Sequence, residues 1–238
     1  MQLSHLNYLP VAPPFFAALA GVLLVLLALI QLRALHYAYT RLGISPLAAL
    51  LLLFGSLIGS YLNIPVAELP GERLLAAGEV TVFGMTYMVP IGVEWPGTVI
   101  AVNVGGAIIP GLLSLYLLAK NRLWGRGFIA IVILTVVCHL LAEPVRGVGI
   151  ALPIFAPPIA AAIVAWVMSR RYAAPLAYIG GSLGVLIGAD LLNLGRVQGL
   201  GAPVVSIGGA GTFDGIFLTA ILAVLLASLR RPPPAERE

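Results

Sequence analysis

Apolar residues run along this chain in long blocks, with polar residues gathered between them. A hydrocarbon core of about 30 Å needs about 20 apolar residues per helical crossing. On that measure the blocks predict spans at 12–35, 45–64, 98–119, 127–143, 149–169, 173–195 and 205–229. Pro144, Gly147 and Gly149 interrupt the chain between the fourth and fifth spans, and Pro153, Pro157 and Pro158 follow. One segment departs from this pattern. Between Pro65 and Pro96, residues Glu79 to Pro90 carry two alternating β-branched or aromatic runs around Gly84, which predicts a small hairpin. It reads as a cap over helix ends, or as a strand edge that pairs with an extended peptide.

The blocks also resemble one another. Leu9-Pro-Val-Ala-Pro-Pro matches Leu152-Pro-Ile-Phe-Ala-Pro-Pro, and the run ending Leu57-Ile-Gly-Ser-Tyr-Leu-Asn63 matches the one ending Leu186-Ile-Gly-Ala-Asp-Leu-Leu-Asn193. Val102-Asn-Val-Gly-Gly-Ala107 then matches Val205-Ser-Ile-Gly-Gly-Ala210. Three matches in one order predict a duplication. The expected fold is an all-α polytopic membrane protein of seven transmembrane helices, arranged as a 3+1+3 parallel repeat with a small extracytoplasmic hairpin. Residues 1–120 form the first three-helix repeat, including the loop 65–97, and 121–147 a linker helix. Residues 148–230 form the second repeat and 231–238 a tail. Parallel repeats pack about an axis along the membrane normal, which makes their interface the natural place for a site. Gly105, Gly106, Gly208 and Gly209 stand where spans begin, either as packing devices or as broken backbone lining a cavity.

Composition agrees with a lipid environment. The 238 residues are 61% hydrophobic and 9% charged, against about 25% charged in soluble domains. Ten of the 13 basic residues fall on one side of the seven-span arrangement: Arg33, Arg41, Lys120, Arg122, Arg126, Arg170, Arg171, Arg230, Arg231 and Arg237. That bias predicts a cytoplasmic C-terminus and an outside N-terminus. No basic residue precedes the first apolar run, so a signal peptide is not expected. The net charge of +4 is spread over helix ends rather than one patch, which argues against nucleic acid. A lone cysteine, Cys138 beside His139, offers no disulfide framework and no metal signature, and no cofactor is expected. The expected partners are the bilayer and transmembrane peptide substrates.

Candidate chemistry lies in two acids inside apolar runs. Asp190 precedes the end of the sixth predicted span and Asp214 follows the start of the seventh, so antiparallel neighbours bring them near one depth. An ionisable group at membrane depth costs several kcal/mol and marks a functional site by default. Two carboxylates in a poorly hydrated site share one proton, leaving one base and one acid, the chemistry of aspartic proteases. The plainer reading is that each acid is protonated or satisfied by Arg196, Asn193 or a backbone amide. Glu143 with Arg146 reads as an outer ion pair, and His139 as a hydrogen-bonded membrane histidine.

Gly208-Gly-Ala-Gly-Thr-Phe-Asp-Gly-Ile-Phe-Leu-Thr-Ala-Ile-Leu222 resembles the Gly-x-Gly-Asp helix of presenilin and signal peptide peptidase. The resemblance implies an intramembrane aspartyl protease with Asp214 as the motif aspartate and Asp190 as its partner. Phe213 stands where that motif has its second glycine. On this reading Gly208, Gly209 and Gly211 let a substrate backbone come close, with Asn193 and Asn103 as further substrate-binding positions. The chain as a whole resembles an uncharacterised prokaryotic membrane-protein family through its Gly-Gly-Ala-Ile-Ile-Pro and Gly-Thr-Phe-Asp-Gly segments. Its expected three-plus-one-plus-three order also resembles the SWEET sugar transporters. That implies a small transporter or channel binding a proton or cation at Asp190 and Asp214, beside Asn103, Asn193 and Ser206. A non-catalytic scaffold is the third class.

Overall fold

A computed structural model describes residues 33–34, 36–70, 72–82, 85–95, 97–145, 149–197, 204–209 and 215–228. Helix α1 (Pro46–Gly59) starts where Ser45 accepts a hydrogen bond from the Ala48 amide at 3.3 Å, with proline in the first turn. Strand β1 (Asn63–Leu69), a hairpin of β2 (Glu72–Val82) and β3 (Met85–Trp95), and β4 (Thr98–Asn103) follow. One π-helical turn, Val104–Ile108, leads into α2 (Ile109–Lys120). After α3 (Trp124–Leu141) come a short hairpin, β5 (Glu143–Val145) and β6 (Gly149–Ala151), and then α4 (Ala156–Met168). The long helix α5 (Ala173–Arg196), strand β7 (Val204–Ile207) and α6 (Gly215–Ser228) complete the order. Strand β4 is central in a three-stranded sheet, antiparallel to β1 and parallel to β7.

The expected all-α bundle of seven spans, in a 3+1+3 repeat, is therefore corrected. Among the described residues two helices are long and apolar enough to cross a membrane, α3 with 18 residues and α5 with 24. The third predicted span opens as β4, the fifth as β6 and the seventh as β7, while the helix of the second stops at Gly59 and the end of that span enters β1. The first, 12–35, lies outside the described residues apart from 33–34. The cause is local chemistry. Thr98-Val-Ile-Ala-Val-Asn103 is rich in β-branched residues, which favour strands, and an unbroken apolar run does not by itself distinguish strand from helix. The hairpin around Gly84 is present and longer than its pattern predicts, pairing from Val82↔Met85 out to Glu72↔Trp95.

Helices α3 and α5 run in the same direction. Gly127 of α3 stands beside Ile179 of α5, Leu134 beside Gly184, Cys138 beside Gly188 and His139 beside Asn193. The glycines let the backbones approach: a Cβ on Gly188 would strike the Thr135 carbonyl. Helix α6 runs the other way, with Ala220 and Ala223 against Gly181 and the Ala227 carbonyl accepting from Trp166 Nε1 of α4 at 2.9 Å. Buried residues on α3 recur as Gly127, Ala130, Leu134 and Cys138, yet its outward face carries Phe128, Ile129, Val132, Val136 and Leu140. A helix apolar on both faces suits lipid on its outer side. These features associate the chain with a membrane.

Candidate functional site

The sequence Gly180-Gly-Ser-Leu-Gly184 gives α5 little side-chain bulk where it packs, and there the helix widens into a π turn. A second π turn covers Leu186–Asp190, and tight 3₁₀ turns finish the helix at Leu191–Arg196. Such wide turns recur at functional positions because they re-aim the side chains that follow. Asp190 closes the second one. Its Oδ2 accepts a hydrogen bond from the Gly208 amide at 2.6 Å, joining the end of α5 to the end of β7.

Gly208 is suited to that place in two ways. Its φ of +85° favours glycine, and a Cβ there would stand 2.6 Å from the Ala107 amide nitrogen. The Gly-Gly segment after β7 therefore lies directly on the Gly-Gly segment after β4. Asn103 holds the latter: its Oδ1 accepts from the Gly106 amide at 2.8 Å, starting the π turn. Its Nδ2 donates to the Ser60 carbonyl at 2.8 Å and to Asn63 Oδ1 at 3.1 Å. Ser206 Oγ donates to the same Asn63 oxygen at 2.5 Å, which ties β7 to β1 across β4. Gly209 donates its amide to the Ser206 carbonyl at 3.1 Å.

Asn193 belongs to a different cluster, one turn beyond Asp190. Its Nδ2 donates to the carbonyls of Gly188 and Ala189 at 2.9 and 3.0 Å and lies 3.3 Å from His139 Nδ1. Its Oδ1 accepts from Arg196 Nη1 at 3.2 Å. Of the predicted site residues, the structure joins Asp190 with Gly208 directly, and Gly209 with Asn103 through Ser206 and Asn63. Asn193 and Asn103 do not share a cluster. Asp214 and Gly211 lie outside the described residues. Because α6 is antiparallel to α5, its first turn lies toward the Asp190 end of the bundle.

Asn63 and Ser60 take part without having been expected. Asn63 ends one of the two similar runs, which is the signal that could have pointed to it. Glu143 lies in β5, and its expected partner Arg146 is outside the described residues. Among the described residues no group of three His, Cys, Asp or Glu side chains could hold a metal ion.

A family model described as "Protein of unknown function (DUF1614)" matches residues 57–226, a stretch that includes Asp190, the β4–β7 pair and both Gly-Gly segments. No curated protein and no solved structure matches the chain.

Proposed function

We propose that this chain, which belongs to the family of unknown function DUF1614, is a membrane-embedded hydrolase of the aspartyl-protease type. Asp190 and Asp214 are its paired carboxylates. The observation that carries this reading is the hydrogen bond from the Gly208 amide to Asp190. It holds one acid at the head of the segment 208–214, whose last residue is the other acid. The antiparallel packing of α5 and α6 supports the same pairing.

In the reaction the ionised carboxylate takes a proton from water, whose oxygen attacks the peptide carbonyl. The protonated carboxyl gives its proton to the developing oxyanion. Collapse of the tetrahedral species then breaks the C–N bond, and the amine leaves with a proton returned through the pair. Gly208 packs on Ala107 and Gly209 on Ser206, which fixes the segment that donates to Asp190. Both long helices begin beside basic residues, Lys120, Arg122 and Arg126 for α3 and Arg170 and Arg171 for α5. Such charges favour a cytoplasmic position for both N-terminal ends, which would set Asp190 toward the outer face.

Cleavage of a transmembrane reporter peptide by the purified protein tests the proposal. Asp190→Asn and Asp214→Asn are each expected to lower the rate at least about a hundredfold, the usual contribution of a general acid or base. Cleavage that survives either substitution overturns it.

One observation favours a second reading. Parallel pairing of β4 with β7 sets two strand–glycine–helix segments side by side, as in transporters that bind ions at broken helices. Folded protein that cleaves nothing, yet takes up a solute in proteoliposomes dependent on Asp190, would decide for transport.

A further inference from the structure

The end of the bundle opposite Asp190 is uniformly basic. Arg41 lies in the helical segment before α1, Lys120 closes α2, and Arg122 and Arg126 flank the start of α3. Arg170 and Arg171 lie between α4 and α5. All six side chains are exposed, and among the described residues outside the β2–β3 hairpin no Asp or Glu shares that end. Glu68 and Glu143 stand in β1 and β5, and Asp190 closes a turn of α5, all at the other end.

Three of the six cations are held over tyrosine rings. The Arg41 guanidinium stands 4.8 Å from the Tyr37 ring centre, Lys120 Nζ 5.4 Å from Tyr116, and the Arg171 guanidinium 5.6 Å from Tyr172. Arg41 Nε also donates to the Tyr37 hydroxyl at 2.7 Å, and Lys120 Nζ to the Gly43 carbonyl at 2.6 Å. The Arg122 backbone has φ of +50°, uncommon outside glycine, and turns the chain tightly from α2 into α3. Immediately beyond this rim the helices expose apolar side chains, among them Leu47, Leu51, Phe128 and Val167, with Trp124 at the border. Within one or two helical turns the surface passes from aliphatic to aromatic and then to cationic. A bilayer changes in the same order from acyl chains to headgroups.

We infer that this basic–aromatic rim binds the phosphate headgroups of anionic phospholipids in the leaflet it faces. The inference rests on the chain lying in a membrane and is independent of the aspartate chemistry. A soluble polyanion such as RNA fits less well, because the surface beside the cations is aliphatic. Cations near an anionic membrane surface favour it by about fivefold each.

Native mass spectrometry of the full-length protein with equal amounts of phosphatidylglycerol and phosphatidylcholine tests this. Phosphatidylglycerol is expected to remain bound preferentially, and the preference is expected to fall at least about tenfold in a K120Q/R122Q/R126Q variant. If that variant does not fold, R170Q/R171Q provides the same comparison on the neighbouring loop. Equal retention of the two lipids overturns the inference, as does an anionic preference unchanged in the folded variants. RNA binding with the same dependence on these residues would also overturn it.

Discussion

A methyl group on Gly208 would meet the Ala107 amide and force an alanine into a left-handed backbone. Strain of that kind costs about 1–3 kcal/mol. Gly208→Ala is therefore expected to lower the unfolding temperature and to reduce reporter cleavage, because the amide that fixes Asp190 must move. Gly195→Ala is the matching control, since nothing lies within 4 Å of the added carbon. It should leave both readouts near wild type, and thermal unfolding of the two variants side by side checks this. At this scale the sequence singles out Asp190 as an acid inside an apolar run, and the fold shows the amide that its carboxylate accepts from. The sequence was less informative about Asn63, whose polar side chain at the end of an apolar run reads as an ordinary boundary. Only the fold brings Ser206 and Asn103 onto that one oxygen.

The same division holds for the elements. The hairpin was legible because the runs beside Gly84, within Glu79 to Pro90, alternate with a period of two. The strands β4 and β7 were not, since each merges into the apolar block of the helix that follows and borrows its length. Glycine spacing along α5 carried more than it first showed. Gly180, Gly184 and Gly188 recur every four residues, one face of a helix, and that face meets α3. Gly188→Ala is expected to separate the two backbones and to destabilise the protein by about 1–3 kcal/mol, as overpacked cores do. Thermal unfolding in detergent, compared with Gly195→Ala, separates this effect from helix propensity.

Across the whole molecule, α3 and α5 point the same way, with their basic ends together. A cysteine introduced at Asn121, which is partly exposed at that end, is expected to react with a membrane-impermeant thiol reagent only from the cytoplasmic side. Cys138 is buried and leaves little background. Labelling from the outer side would reverse the orientation and place Asp190 at the cytoplasmic face.

The returning helix α4 has a physical consequence of its own. On the proposed topology, in which α3 and α5 both cross the membrane, α4 leads the chain back between them, and its 13 residues rise only about 20 Å. That is about 10 Å less than an average hydrocarbon layer. Such hydrophobic mismatch is relieved by thinning of the lipid alongside, at a cost that grows with each ångström. The protein should then be most stable in short-acyl bilayers and lose stability steadily as the acyl chains lengthen, which unfolding measured across a lipid series would read. On the same topology, a thinned patch beside α4 would also shorten the distance that bulk water must travel to reach the polar end of α5.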